Sequence, residues 1–282
     1  MSFRDLLLTA LTYPDATPDR AIRSGAALAR RLGGRLTMLS VRVDLPQLHN
    51  PLANALLDLD RLSALEEARS LAAARTAETF ARIAADEFGI AAETETACAR
   101  LYEEAETIAR AARTRDLTLI SIGPAVLADR ALAETTLFGS GRPIVVYPEA
   151  VEVEPGDRFG RVAIAWDGSR AAARAVADSL PVLRTAREVR IFTALGDKPE
   201  AVKDAAAPLV RHLRDHDIAA KIDERVDHDR SIGGRLAEYV GEVQPDLLVM
   251  GGYGHARLRE FILGGATQSV LETPPCPVLL SH

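Results

Sequence analysis

The chain is poor in cysteine, lysine and tryptophan, with two, three and one of them in 282 residues. Cys98 and Cys276 stand far apart and cannot form a disulfide framework or a four-cysteine zinc site, so two reduced thiols buried in packing are expected. Basic charge is short as well. Lys+Arg 34 against Asp+Glu 40 leaves a net charge of −6, without the footprint that nucleic-acid binding requires. No apolar run reaches the roughly 20 residues of a membrane span. The opening MSFRDLLLTALTY sets Arg4 and Asp5 before a short apolar stretch and Pro14 and Asp15 after it, unlike a secretory leader. A cytoplasmic protein binding neither nucleic acid nor membrane is expected. Catalytic signatures are missing too: G-x4-G-K-[S/T] is absent, with lysine only at Lys198, Lys203 and Lys221, and so are G-x-S-x-G, H-E-x-x-H and any Ser-Gly-Gly-x-Asp-Ser run. His212 and His216, four apart on an expected helix with Asp215, His228 and Asp229 nearby, thus read first as a polar helix face and only second as metal ligands.

What is present is ordinary globular composition, 48% hydrophobic and 26% charged, in a length that suggests two cores at about 150 residues per domain. The same unit occurs twice. In the first half LLLTA, RLTMLSV, IAAETETA, LTLISIG and PIVVY are strand-like, separated by Ala/Leu/Arg/Glu-rich stretches of helical spacing. The second half answers with VAIAW, EVRIFTA, AAKIDERV, LLVMG and PVLL. Ile232, Leu236, Tyr239 and Val240 form the stripe of a helix on a sheet, with Ser231 as its N-cap. Each half is therefore (βα)4β. The fold class is α/β, two tandem doubly wound parallel-sheet domains of strand order 3-2-1-4-5, assigned to residues 1–150 and 158–282. The acidic stretch 149–160, with Pro155, Gly156 and Gly160, reads as the linker. An extra segment, 46–61, precedes the long helix of the first half.

The difference between the halves lies in one loop. After the fourth strand of the second half, Gly251, Gly254, Gly264 and Gly265 give the spacing G-x2-G-x9-G-G ahead of a short helix through Val270 and Leu271. Glycines at a strand end let the backbone come close to a ligand, and a helix N-terminus offers unpaired amides to an anion. In the order 3-2-1-4-5 the first and fourth strands flank the crevice, so Asp167, after the first strand, faces the same pocket. Asp167-Gly168-Ser169 also suits the N-cap of the following helix. His255, Arg257 and Arg259 in the loop read as solvated.

At these residues the chain resembles the universal stress protein family, across both halves, as a tandem-domain member. ATP-binding members show G-x2-G-x9-G-[S/T], an Asp after the first strand and a Pro-Val-hydrophobic last strand. Gly251, Gly254, Gly264, Asp167 and Pro277-Val278-Leu279-Leu280 match. The resemblance implies an adenine nucleotide as ligand, with ATP first, ADP and AMP as alternatives, and an accompanying Mg2+ left open. It implies Ala165 and Asp167 near adenine and ribose, Ala194 lining the base pocket and Met250 beneath the nucleotide. Gly251, Gly254, Gly264, Gly265, Ala266 and Thr267 would surround the phosphates through their amides. Two departures stand out. Gly265 replaces the family's Ser or Thr, with Thr267 as a partial substitute, and Trp166 occupies a position usually small, where an indole either stacks on a base or fills the pocket.

The first half reads as a degenerate copy. Its fourth loop, Ser121-Ile122-Gly123-Pro124-Ala125-Val126, keeps one glycine and has Val126 where a second would fall, Arg130 takes the place of Gly264, and no Asp follows its first strand. The resemblance gives it a structural role, pairing with the second half through the final strands, with homo-oligomers of whole chains left open. The functional expectation is a nucleotide-binding stress-response or regulatory protein. Slow ATP hydrolysis or adenylate transfer at the same pocket is the enzymatic alternative, and a nucleotide-free scaffold is the third.

Overall fold

The computed structural model describes residues 3–45, 59–123, 127–195, 206–226, 231–252 and 265–282. The first half runs β1 (Asp5–Leu11), α1 (Asp19–Leu32), β2 (Arg35–Asp44), α2 (Leu59–Phe88), β3 (Ala92–Arg100), α3 (Glu104–Ala112), β4 (Leu117–Ile122), α4 (Leu127–Ser140) and β5 (Ile144–Pro148). The second half runs β6 (Arg161–Ala165), α5 (Arg170–Leu183), β7 (Glu188–Leu195), α6 (Ala207–Asp215), β8 (Ala220–Val226), α7 (Ile232–Val243), β9 (Leu247–Gly251), α8 (Gly265–Glu272) and β10 (Val278–Ser281).

All ten strands join one sheet in the order β3-β2-β1-β4-β5-β10-β9-β6-β7-β8. Each half keeps the expected 3-2-1-4-5 order, and every pairing within a half is parallel. The halves meet at one antiparallel pair, with Val278 opposite Val146, Leu279 opposite Val145 and Leu280 opposite Ile144. The internal strand pairing expected of the tandem chain is thus present.

Strands β1, β4, β9 and β10 are buried almost throughout, because helices cover both faces, and their sequences are accordingly apolar runs without alternation. Alternate residues feed two cores. Leu6, Leu8, Val145, Ile164, Val249 and Leu279 enter one, beneath α1, α2, α5 and α6. Leu7, Ile120, Val146, Ala163, Met250 and Leu280 enter the other, beneath α3, α4, α7 and α8. Both cores cross the seam. The two outer strands, AETETACAR and AKIDERV, carry charges that discourage further edge pairing.

The stretch 149–160 is packed, which its composition did not indicate. Ser24 on α1 donates to the Val151 carbonyl and accepts from the Val153 amide, Arg31 donates to the Glu154 carbonyl at 2.7 Å, and Arg30 pairs with Asp157 at 2.7 Å. Phe159 is fully buried, with the Arg31 guanidinium 5.7 Å from its ring centre. The apolar Val153 and Phe159, hidden among acidic residues, make it a strap along α1. On α7, Leu236, Tyr239 and Val240 are buried as expected, and Ser231 accepts from the Gly234 amide. Ile232 is half exposed, since it occupies the first helical position at the rim.

A repeated device fixes the start of each half. Asp116, just before β4, accepts from the amides of Arg4 and Asp5 at 2.8 and 3.1 Å. Asp246, just before β9, accepts from those of Gly160 and Arg161 at 2.7 and 2.8 Å. Each carboxylate clamps the entry of the first strand to the fourth with charge-assisted hydrogen bonds. Asp246→Ala leaves two amides without their acceptor and is expected to lower the unfolding free energy by about 2 kcal/mol in denaturant titrations, with Asp246→Asn recovering about half.

Candidate functional site

The ends of β6 and β9 lie side by side, with Ala165 opposite Met250 in parallel register. Both contact the core beneath α7 and α8, Met250 buried and Ala165 partly so. Ala165 also stands opposite Phe192 on β7, and Ala194 follows two residues on, in register with Arg225. Asp167 is exposed just past β6, and its Oδ1 accepts from the Ser169 amide at 2.9 Å. The N-cap of α5 is Ser169, whose Oγ accepts from the Ala172 amide at 3.1 Å. Asp167 therefore shapes the turn while its neighbour caps the helix, with Gly168 supplying the positive φ of 74° between them.

Trp166 belongs to the opposite face. It packs against the α5 and α6 core, and with Ala173, Val176, Pro208, Leu209 and His212 it lines a cavity of about 210 Å3. Side chains alternate along a strand, so Trp166 is turned away from the face that carries Ala165 and Met250. Neither stacking on a base over Ala165 nor filling that side of the crevice fits this position.

Gly251 has a reason for being glycine that the spacing does not reveal. A Cβ built there would stand 2.4 Å from the Ala172 nitrogen and 2.5 Å from the Ala171 carbonyl carbon. The first turn of α5 thus lies directly on the end of β9. At Gly252 a Cβ would stand 2.7 Å from a methyl of Leu137 on α4, so the first half also presses on this strand end. Phe138 meets the His282 ring edge to face at 4.7 Å, and His282 Nδ1 lies 3.1 Å from the Gly252 carbonyl oxygen. Gly265 differs, since among the described residues a Cβ there would meet nothing within 4 Å. It opens α8, and the first amides of any helix have no intrahelical acceptor, which makes the start of α8 a place where an anion can be held. Thr267 is 3% exposed, which removes its hydroxyl as a substitute for the missing serine. Gly254 and Gly264, with His255, Arg257 and Arg259, lie outside the described residues.

The first half closes its own crevice. Thr12 donates to the Val41 carbonyl at 2.7 Å and shares a 2.7 Å hydrogen bond with Ser70 of α2, which also accepts from the Val43 amide. Thr17 accepts from the Leu11 amide at 2.9 Å. Asp129, in the first turn of α4, accepts from the Gly123 amide at 2.8 Å. Strand register also corrects the alignment of the loops. The amides of Thr118 and Leu248 donate to Pro143 and Pro277, making these two residues equivalent, so Gly251 corresponds to Ser121 and Gly252 to Ile122. Gly123 falls two residues later, where counting from the glycine itself misplaced it. Arg130 is inside helix α4, bound to Glu134 at 2.8 Å and across the seam to Glu272 on α8 at 2.7 Å.

Cys276 is buried, and burial pushes its thiol up to about 12, which makes it unreactive. Cys98 is exposed, contrary to expectation, because β3 is an outer strand with an incompletely covered face. His212 and His216 rings meet edge to face at 4.7 Å, and Arg184 reaches His216 Nδ1 at 3.0 Å. No group of three metal-binding side chains occurs among the described residues, and His228 and Asp229 lie outside them. No helix among the described residues is long and apolar enough to cross a membrane. The carboxylates Asp116, Asp129 and Asp246 and the Thr12–Ser70 pair escaped sequence reasoning. The one available signal was the recurrence of Asp just before the fourth strand of both halves.

Two outcomes follow from these contacts. Gly251→Ala forces backbone apart and is expected to cost about 2 to 3 kcal/mol of stability by chemical denaturation, with or without nucleotide. Burial raises the Asp129 carboxyl above its ordinary range, so the folded state holds this proton more tightly than the unfolded chain does. Its contribution is complete below the unfolded value and is lost as pH rises through the folded one. Asp129→Asn keeps an acceptor for the Gly123 amide without the buried charge. Its melting temperature is expected to match or exceed the parent's at pH 8, with the gain vanishing toward about pH 4, whereas Asp129→Ala melts lower at both.

Comparison with known proteins agrees with this architecture. The model of the universal stress protein family matches residues 158–282. A universal stress protein structure from Archaeoglobus fulgidus DSM 4304 covers 98% of the chain and 97% of its own, with 15% identity and a TM-score of 0.69. A structure of a putative universal stress protein from Pseudomonas aeruginosa UCBPP-PA14 covers 99% and 93%, with 15% identity and a TM-score of 0.55. A universal stress protein solved in complex with cAMP covers 44% of the chain and 98% of its own, with 24% identity and a TM-score of 0.37. No curated protein matches the chain. The second half of the chain, residues 158–282, thus matches the universal stress protein family, and the chain as a whole shares the fold of the Archaeoglobus fulgidus universal stress protein structure.

Proposed function

We propose that the second half binds an adenine nucleotide, with ATP as the leading ligand and ADP and AMP as alternatives, and that the protein acts in stress response or regulation through occupancy of that site. The observation that carries this reading is the contrast between the halves. At the strand ends of the first half, Thr12, Ser70, Thr17 and Asp129 occupy the chain's own amides and carbonyls. The second half has glycine at 251 and 252 where the first has Ser121 and Ile122, and a helix start at Gly265 where a Cβ would meet nothing among the described residues.

The residues fit such a ligand in chemistry. Helix-start amides of Gly265, Ala266 and Thr267 suit phosphate oxygens, joined by Gly254 and Gly264 of the loop. Asp167, exposed beyond β6, supplies a carboxylate for ribose hydroxyls, and Ala165, Ala194 and Met250 supply small or apolar surface for the base. Gly251 contributes through the close packing of α5 on β9, which brings that helix to the crevice. Binding is favoured over turnover, because the sequence has no G-x4-G-K-[S/T] motif to place a lysine on the terminal phosphate.

Mass spectrometry of co-purifying nucleotide and calorimetric titration with ATP, ADP, AMP and cAMP test the reading. Asp167→Ala is expected to weaken all adenine nucleotides at least tenfold. Gly265→Ser, for which there is room, restores a hydroxyl donor and is expected to tighten ATP about five- to tenfold, equivalent to about 1 to 1.4 kcal/mol, with little effect on unfolding. Absence of binding at millimolar nucleotide sinks the proposal, and Mg2+-dependent turnover lost in Asp167→Ala replaces it with an enzymatic one.

A further inference from the structure

Helix α2 is the longest element, and it is apolar on two faces. One face packs inward through Ala74, Ala77, Ala81, Ala84, Ala85 and Phe88, all buried. The other presents Leu62, Leu65, Phe80 and Ile83 to solvent, 53%, 56%, 37% and 54% exposed. At 100° per residue these four fall within about 60° of one another, some 120° round from the centre of the buried face. Four of the large apolar side chains left exposed among the described residues therefore share one stripe.

The stripe reads the same in both directions. Its centre lies between Ala72 and Ala73, with Leu62 as far before it as Ile83 is after, and Leu65 as far before as Phe80 after. We propose that α2 is a self-association surface, on which a second copy of this chain packs its own α2 antiparallel about a two-fold axis through the midpoint of residues 72 and 73. In that register Leu62 meets the second copy's Ile83, Leu65 meets its Phe80, and the small Ala72 and Ala73 allow close approach at the axis. A two-fold contact requires a patch complementary to itself, which this sequence supplies.

The charges agree with the same register. Arg69, on the stripe, falls opposite Thr76, and Glu66, on its flank, opposite Thr79, so neither meets a like charge. A parallel arrangement would instead set Arg69 against Arg69 and Glu66 against Glu66. The size of the contact sets its strength. From residue 62 to residue 83 the stripe is about 32 Å long and about 10 Å wide, roughly 300 Å2 of footprint per copy, below the ~800 Å2 of a standard interface. A dissociation constant in the micromolar range or weaker is the expected consequence, and it is independent of the nucleotide reading.

Sedimentation equilibrium of the full chain from micromolar to millimolar concentration is expected to show a monomer–dimer equilibrium. Leu65→Asp and Phe80→Asp, both at exposed sites, should each weaken it at least tenfold while leaving circular dichroism and melting temperature unchanged. The register is read in a Cys98→Ser background, which removes the exposed thiol. Leu65→Cys mixed with Phe80→Cys should cross-link with a short bis-maleimide. Neither variant alone should do so, because two copies of position 65 lie about 22 Å apart along the paired helices. A chain that stays monomeric throughout, whether or not it floats with anionic phospholipid vesicles, overturns the proposal, and so does a Leu65→Cys homodimer cross-linked as readily as the mixture.

Discussion

The antiparallel contact between β5 and β10 is the constraint from which the rest of the molecule follows. A five-stranded parallel unit ending on an apolar last strand exposes backbone donors and acceptors along that edge, and covering them requires another strand of matching character. Here the chain supplies both partners, Ile144–Pro148 and Val278–Ser281, and the pairing buries both. The sheet doubles in width, both cores run through the seam, and the charged strands β3 and β8 become the outer edges.

This contact also determines what each half can become. Once the seam is closed, α4 of the first half lies against the second half's strand ends, where Leu137 reaches Gly252, Phe138 reaches His282 and Arg130 reaches Glu272. The first half supports the second rather than repeating it. Its own strand ends are taken up by Thr12, Thr17, Ser70 and Asp129, which satisfy main-chain groups that would otherwise need water or a ligand. Asp129 places its carboxyl group on a strand-end amide, where burial raises its pKa.

Much of the architecture was legible because parallel strands buried on both faces leave an unmistakable trace. LTLISI and LLVMG are short unbroken apolar runs, repeated in the same order with helices between them. The site was legible only in part. Glycine spacing did not show why Gly251 is glycine, since the collision with Ala171 and Ala172 involves a helix eighty residues away in sequence. Trp166 could be read either as stacking on a base or as filling the pocket, and strand alternation put it on the other face, against α5 and α6. Residues 149–160 had the composition of a linker, yet Val153 and Phe159 hold them along α1. Such contacts depend on which surfaces meet, and local composition carries no record of that.

The sequence by itself determined the repeat, the element order and the strand order within each half, because these depend on hydrophobic period and on spacing along the chain. Tertiary structure alone decided that Asp116 and Asp246 clamp the first strands and that Ser121, not Gly123, corresponds to Gly251. It also decided that Cys98 is exposed and that one face of α2 is left uncovered. Those outcomes turn on register and close approach between segments distant in sequence, which only the folded chain brings within reach of one another.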